Sequence, residues 1–197
     1  MTLRFEHYLK KNMAVTDAEL AGLMPLLKTK VYPKKAFLLR EGEVAQHSYY
    51  VEQGLLRSYS EDDKGKQHII QFAPEDWFIS ERSSVYFQMP SQFSIQAIEE
   101  TTVVIIDQAY SDYVSRWPAY QEKNDLSLQT HIRQLQRRIN LLLGAPAEAR
   151  YLEFIRLHPN LAQRVPQWMI ASYLGITPES LSRVRKELTA RPNGSQH

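Results

Sequence analysis

The stretch from Val165 to Leu188, VPQWMIASYLGITPESLSRVRKEL, indicates how the C-terminal part of the chain folds. Two short helical segments flank Gly175, a residue type that often ends a helix with positive φ. Thr177 is suited to cap the second segment, and Pro178 to occupy its first helical position. Apolar residues are spaced to hold both helices over one small core: Ile170, Leu174, Ile176, Leu181 and Val184. The pattern is that of a helix-turn-helix, although spacing alone also fits an ordinary αα-hairpin.

The second helix of this motif carries polar side chains on its outer face, the face that enters the DNA major groove in a helix-turn-helix. Arg183 is the best candidate for a base contact, because a guanidinium matches guanine O6 and N7. Glu179 lies one turn earlier and is placed either to accept from cytosine N4 or to form an i,i+4 ion pair with Arg183 that only stiffens the helix. Ser182 suits either a base or a phosphate. The full set of predicted DNA-binding residues is Gln167, Thr177, Glu179, Ser182, Arg183, Arg185 and Lys186.

Composition restricts the class of protein. Of 197 residues, 43% are hydrophobic, which is enough for a proper core. The absence of cysteine excludes disulfides, iron–sulfur clusters and thiolate zinc sites. No apolar run is long enough for a membrane span or an export signal, so a cytoplasmic protein without membrane contact is expected.

Charge is distributed unevenly although the net value is only +2. Residues 1–109 carry 12 Lys and Arg against 15 Asp and Glu, whereas residues 110–197 carry 12 against 7. An acidic first half and a basic second half fit a sensor joined to a binder of a polyanion.

The segment from Thr29 to Asp107 has a β-rich texture. About eight short runs alternate with turn signals, and Gly42, Gly54 and Gly65 fall at the corners. The predicted strands are TKVY, AFLL, SYYVEQG, LLRSYS, QHIIQF, DWF, QFSIQAI and TTVVIID. Near-regular spacing without crossover helices predicts an antiparallel barrel or jelly roll. Upstream, residues 3–11 and 16–28 are predicted to be short helices.

A long helix is predicted after Pro118, ending at Gly144. Apolar residues recur along it at the 3.5-residue period of a coiled coil: Leu128, Ile132, Leu135, Ile139 and Leu142. We interpret this stripe as a homodimer seam, with the alternative that the helix lies on its own domain. Another helix follows Pro146, with Tyr151, Leu152 and Ile155 as its expected buried face. The predicted domains are a sensor at 1–117, a dimerisation helix at 118–143 and a DNA-binding domain at 144–197.

Taken together, these elements resemble the Crp/Fnr superfamily of bacterial transcription regulators over residues 10–188. The sequence similarity is greatest in two segments. One is EGEVAQHSYYVEQGLLRSYS, which resembles the family's early barrel, and the other is ARYLEFIRLHPNLAQRVPQWMIASYLGITPESLSRVRKEL. The latter is similar to the short, cysteine-free branch common in Bacteroidetes. The resemblance implies an α+β protein with a cyclic-nucleotide-binding-like barrel, a dimerisation helix and a winged-helix-like C-terminal domain. It further implies a homodimer on a palindromic DNA operator and an unidentified small-molecule effector. RNA polymerase is a further candidate partner.

Two departures from the family pattern qualify this resemblance. The cyclic-nucleotide binders hold the nucleotide with a Gly-Glu pair and an Arg-Ser pair. When Asp76 and Ala97 are aligned with the family pattern, this sequence has neither pair at the corresponding positions. Glu81 with Arg82 is a shifted alternative that lacks the glycine, so an effector other than cyclic AMP is expected. The candidate effector-pocket residues are Ile79, Ser80, Glu81, Arg82, Ser91 and Gln92. The tail TARPNGSQH is too short for the β-hairpin wing of many relatives, so the wing is expected to be truncated or absent.

Other function classes receive less support from the sequence. The leading alternative is a ligand-sensing barrel whose helical C-terminus contacts a protein partner. An enzyme built on the barrel would need converging metal ligands, yet His47 and His68 show no His-x-His spacing. A haem ligand among His47, His68 and His131 is disfavoured, since a lone histidine more often lies at the surface. No cofactor, no metal and no enzymatic activity are therefore expected.

Overall fold

The computed structural model describes residues 4–190. Its strands are β1 (Lys28–Tyr32), β2 (Phe37–Leu39), β3 (Ser48–Gln53), β4 (Leu56–Glu61), β5 (Gln67–Ala73), β6 (Phe78–Ile79), β7 (Ser94–Ala97) and β8 (Thr101–Ile106). Its helices are α1 (Arg4–Asn12), α2 (Asp17–Leu23), α3 (Arg82–Phe87), α4 (Gln108–Val114), α5 (Pro118–Gly144), α6 (Ala147–Leu157), α7 (Leu161–Arg164), α8 (Gln167–Leu174) and α9 (Pro178–Ala190). The chain divides into two compact units between Ile132 and Arg133, inside α5.

The strands form two four-stranded antiparallel sheets, ordered β1-β8-β3-β6 and β2-β7-β4-β5. This arrangement confirms the predicted antiparallel jelly roll. Each of the eight predicted runs overlaps a strand, although DWF shares only Phe78 with β6. Gly54 lies at a corner with φ of 100°. A Cβ there would come within 2.5 Å of the Glu100 carbonyl oxygen, so only glycine fits this turn.

Strand β3 shows how the sheet separates two cores. Its side chains alternate, so that Tyr49 and Val51 enter the interior between the sheets while Tyr50 points to the outer face. The interior is apolar, and its fully buried members include Val51, Leu56, Ala73, Ile79, Ile95 and Val103. The outer cluster is formed with α1, α2 and α4 and includes Phe5, Leu9, Leu23, Tyr50, Val104 and Tyr110.

Some helices of the first unit differ from the prediction. The helix expected at 16–28 stops at Leu23, and a 3-10 turn at Met24–Leu26 leads into β1, because Pro25 cannot donate to a continuing helix. Helices α3 and α4 were not predicted. Each is begun by an acidic cap: Glu81 accepts from the Ser84 amide, and Asp107 from the Tyr110 amide at 3.0 Å. Helix α3 connects β6 to β7, which lie in different antiparallel sheets, so it is not a crossover between parallel strands.

The second unit is helical and packs α6 and α8 against α9. Its buried residues include Tyr151, Phe154, Ile170, Leu174, Leu181 and Val184. The predicted face of α6 is partly wrong, since Leu152 is 43% exposed whereas Phe154 is buried. Tyr151 and Phe154 are three residues apart, so they share the side of the helix that meets α8 and α9. The expected absence of a wing falls on residues 191–197, outside the described residues.

Candidate nucleic-acid interface and sensor pocket

Helices α8 and α9 are joined by a tight turn at Gly175. This residue has φ of 65°, and its amide donates to the Ser172 carbonyl at 3.1 Å. The Ile176 amide donates to the Ala171 carbonyl at 3.0 Å, which completes the pattern of a glycine-ended helix. Pro166 immediately precedes α8. The predicted pair of helices and its turn residue are thereby confirmed.

The start of α9 is fixed by Thr177 and Pro178. The Thr177 hydroxyl oxygen accepts from the Ser180 amide at 3.2 Å, and Pro178 is the first helical residue. The pKa of Glu179 is lowered by a hydrogen bond from its own backbone amide and by the Thr177 hydroxyl. Glu179 therefore stays ionised next to the positive end of the helix dipole.

The outer face of α9 forms one shallow concavity. Five residues line it, all of them exposed: Pro178, Glu179, Ser182, Arg183 and Lys186. Within the described range, no ion pair joins Arg183 to Glu179. The guanidinium and the carboxylate therefore both face solvent from this concavity, which we call the α9 face.

The other predicted DNA-binding residues lie around this face. Gln167 is exposed at the first position of α8, and Thr177 is exposed at the turn. Arg185 is half-buried and does not line the concavity. The structure thus gathers Glu179, Ser182, Arg183 and Lys186 from the predicted set and places the rest at the margin.

Helix α5 has no fully buried residue along its 27 positions. Three members of the predicted seam are exposed: Ile132 at 40%, Leu135 at 44% and Ile139 at 56%. Leu128 and Leu142 are half-buried. A Cβ on Gly175 would lie 3.3 Å from Leu142 Cδ2, so Leu142 also packs toward the turn after α8.

The candidate effector residues before β7 serve the local fold. Ile79 is buried in the barrel interior, and Ser80 is half-buried beside it. The carboxylate of Glu81 is occupied as the cap of α3, while the Arg82 guanidinium is exposed and lies 4.8 Å from the centre of the Tyr86 ring. Glu81 and Arg82 therefore do not form a shared phosphate cradle.

The second candidate pair, Ser91 and Gln92, lies at the corner that also holds Gly42. The Gly42 amide donates to the Ser91 carbonyl, and the Ser91 amide donates to the Glu43 carbonyl, both at 2.8 Å. The Ser91 hydroxyl donates to the Phe93 carbonyl at 2.7 Å. Gln92 is exposed. The polar groups of Ser91 are thus used within the loop itself.

Two arginines that the sequence did not single out as contacts hold the end of α8. Arg138 Nη2 donates to the Tyr173 carbonyl at 3.2 Å, and its guanidinium lies 4.0 Å from the Tyr173 ring centre. Arg150 Nη1 donates to the Leu174 carbonyl at 3.0 Å. Both satisfy carbonyls that the helix end leaves without internal partners. Nothing in the local sequence signals these contacts, which span 35 and 24 residues.

Residues 4–190 contain neither a candidate metal site nor a helix that could span a membrane. No group of three or more His, Asp or Glu side chains in that range is arranged to hold a metal ion. His68 instead lies 2.9 Å from Asp62 in the hairpin between β4 and β5. No described helix combines the length and the apolar character needed to cross a bilayer.

Part of the first unit matches a known sequence family, and most of the chain matches the fold of solved structures. Residues 29–112 match the family described as cyclic nucleotide-binding domain, whereas no curated protein matches the chain. FixK2 from Bradyrhizobium japonicum has a similar structure, with a TM-score of 0.68 and 21% identity over 86% of this chain and 89% of that one. A CooA variant from Carboxydothermus hydrogenoformans also has a similar structure. Its TM-score is 0.68 and its sequence identity 20%, over 90% of this chain and 87% of that one.

A third similar structure is CLP, the c-di-GMP-responsive global regulator of Xanthomonas campestris. It has a TM-score of 0.68 and 15% identity, over 89% of this chain and 92% of that one. The likenesses show that the chain has the two-domain fold of these structures, an antiparallel jelly roll followed by helices.

Proposed function

We propose that this chain is a Crp/Fnr-type transcription regulator of the cytoplasm that binds a palindromic operator as a homodimer. The observation that carries the proposal is the α9 face, which exposes Arg183, Lys186, Ser182 and Glu179 beside a glycine-ended helix. A second helix that is buried on one side and polar on the other has the form of a major-groove reader. The excess of Lys and Arg in residues 110–197 favours a polyanionic partner.

The apolar stripe of α5 supports the homodimer. Ile132, Leu135 and Ile139 remain substantially exposed in the single chain, which is unusual for three apolar residues in one row. Pairing α5 with its copy would bury them and relate two α9 helices by a two-fold axis. Such a pair reads half-sites about one helical turn, ~34 Å, apart.

The residues of the α9 face have separate roles in this proposal. Arg183 reads a guanine, and Glu179 accepts from a neighbouring cytosine or orients Arg183. Lys186 neutralises a phosphate, and Gln167, Thr177 and Arg185 position the backbone from the margin of the face. Pro178 has no polar side-chain group, so it contributes only shape at its position.

The effector in this proposal is a small molecule other than cyclic AMP. The family match over residues 29–112 supports a ligand-binding barrel. However, Glu81 caps α3 and Ser91 bonds within its own loop, so neither is available to a cyclic nucleotide. Hydrogen exchange of residues 79–92 should be unchanged by cyclic AMP; protection of that segment would contradict this part of the proposal.

The test is selection of an operator from random DNA, followed by binding measurements on the full chain. Arg183→Ala should weaken operator binding by about 1–3 kcal/mol and relax the preference at one base pair in each half-site.

Lys186→Ala should weaken binding to operator and to random DNA alike, and lower the slope of log K against log salt by about 1. Arg116→Ala removes an exposed arginine of the first unit and is the matched control.

The rival function, a sensor whose helical end contacts a protein, predicts different results. In that case no operator emerges from selection, and residual DNA affinity has little salt dependence. If Arg183→Ala binds the operator as tightly as the original protein does, and also binds random DNA as tightly, the base-reading role of Arg183 is refuted.

A further inference from the structure

A cleft of about 490 Å³ lies within the second unit and shares no lining residue with the α9 face. It is bounded by the end of α5, by α6 and by α8. Its volume is in the range of ordinary small-molecule sites. Five arginines line it: Arg133, Arg137, Arg138, Arg150 and Arg156.

Positive charge in this cleft is poorly balanced. Glu153 is the one acidic residue of the lining, and it pairs with Arg137 at 2.9 Å and Arg156 at 2.8 Å. Arg138 Nη2 and Arg150 Nη1 donate to backbone carbonyls, which are neutral groups. Five guanidinium groups thus face a single carboxylate, a formal excess of four positive charges in one cavity.

Apart from Gln134, the rest of the lining is apolar or aromatic. Leu141, Phe154 and Leu157 contribute to the walls, and the Tyr173 ring lies under the Arg138 guanidinium. Walls of this kind keep the local dielectric low, which strengthens attraction between the arginines and an anion. They also suit a flat apolar group attached to that anion.

The cleft lies on a face of α5 that the proposed dimer does not use. Arg133 and Arg137 fall between the seam positions Ile132, Leu135 and Ile139, at heptad positions that point away from a coiled-coil partner. The exposed part of Arg137, 63% of its side chain, therefore remains open to a ligand in a dimer as in a single chain.

We propose that this cleft binds a phosphate-bearing small molecule of about mononucleotide size. Arg133 and Arg137 contact the phosphate, because a guanidinium donates two parallel hydrogen bonds to phosphate oxygens. The base or an equivalent flat group lies against Leu141, Leu157 and Tyr173. The site is separate from the barrel interior, and the ligand can bind to it when no DNA is present.

A consequence for DNA, which rests on the proposed function, follows from the contacts of two lining residues. Arg138 and Arg150 hold the carbonyls of Tyr173 and Leu174, the last two residues of α8 before Gly175. An anion that draws either guanidinium toward the cleft alters the turn that orients α9. Ligand and operator affinities should then be coupled.

The binding experiment is isothermal titration calorimetry of the full chain, without DNA, against AMP, GMP, CMP and UMP in turn. We expect saturable binding of at least one nucleotide at one site per chain, and no binding of the corresponding nucleoside. The double variant Arg133→Gln/Arg137→Gln should weaken it at least about tenfold, the size of a lost charge-assisted contact. Arg116→Gln, in the first unit, should leave it unchanged.

Arg133→Glu provides a second variant, since Arg133 is exposed and the change leaves the Arg137–Glu153 pair intact. It should abolish binding while retaining the original unfolding temperature. Failure of all four nucleotides to bind would overturn the proposal, as would an affinity that neither variant changes. Because the titration contains no DNA, either failure leaves the operator measurements to judge the proposed function independently.

Discussion

At the scale of single residues, His158 connects the packing of the second unit to pH. Its side chain is 4% exposed and its ring centre lies 5.5 Å from that of Phe154. Burial, and then the nearby charge of Arg138, lower the pKa of His158 to about 4. An unfolded histidine titrates near 6.5, so the unfolded state gains its proton first as the pH falls. The native state should therefore lose about 3 kcal/mol of stability between pH 6.5 and 4.

Urea unfolding of the original protein and of His158→Gln across this pH range measures the effect. The variant should show a pH dependence that is smaller by about the same 3 kcal/mol. His7→Gln removes an exposed histidine of the first unit and should retain the full dependence. If His158→Gln keeps the original slope, His158 is not the group that destabilises the protein in mild acid.

At the scale of elements, α1 is attached to the jelly roll through a carboxylate of β3. Glu52 is 8% exposed and accepts from the Phe5 amide at 2.7 Å and from the Arg4 amide at 2.8 Å. Phe5 and Leu9 of this helix are fully buried against the outer face of the sheet. Glu52 therefore satisfies two amides that a helix start leaves without internal partners.

Glu52→Ala should cost about 2–3 kcal/mol, because two amide donors lose a charged acceptor. Hydrogen exchange in residues 4–12 should accelerate more than exchange in β4 and β5, which belong to the other sheet. Glu52→Gln keeps an acceptor oxygen and should lose less. Uniform acceleration over both sheets in Glu52→Ala would show that Glu52 supports the whole domain and not α1 in particular.

The elements that the sequence predicts well are those with local signals. The strands follow from alternation and glycine corners, and the α8–α9 pair follows from Gly175, Thr177 and Pro178. Helix α3 has no apolar period and depends on the cap at Glu81, so its sequence resembles a loop. The anchoring of α1 and the contacts of Arg138 join residues far apart in the chain, which periodicity does not detect.

At the scale of the whole molecule, the proposed function requires that a ligand-binding first unit and a DNA-reading second unit act through α5, which contributes residues to both units. The predicted boundaries treat residues 118–143 as a domain of their own, whereas packing assigns the two ends of α5 to different units. In the proposed function, a change at the first unit is transmitted by pairing or reorienting this helix. Symmetric DNA reading would then depend on the apolar stripe of α5.

The dimer seam is tested by placing a charge at its most exposed member. Ile139 is 56% exposed in the single chain, so Ile139→Glu should leave the fold of each chain intact. In a paired seam, two buried glutamates would destabilise the dimer by about 3–5 kcal/mol. Leu126 is 55% exposed on the same helix but lies outside the heptad stripe, which makes Leu126→Glu the matched control. Sedimentation equilibrium should show Ile139→Glu as a monomer with at least about tenfold weaker operator binding, and Leu126→Glu as a dimer. Equal masses for the two variants would place the dimer contact elsewhere and leave the row of Ile132, Leu135 and Ile139 unexplained.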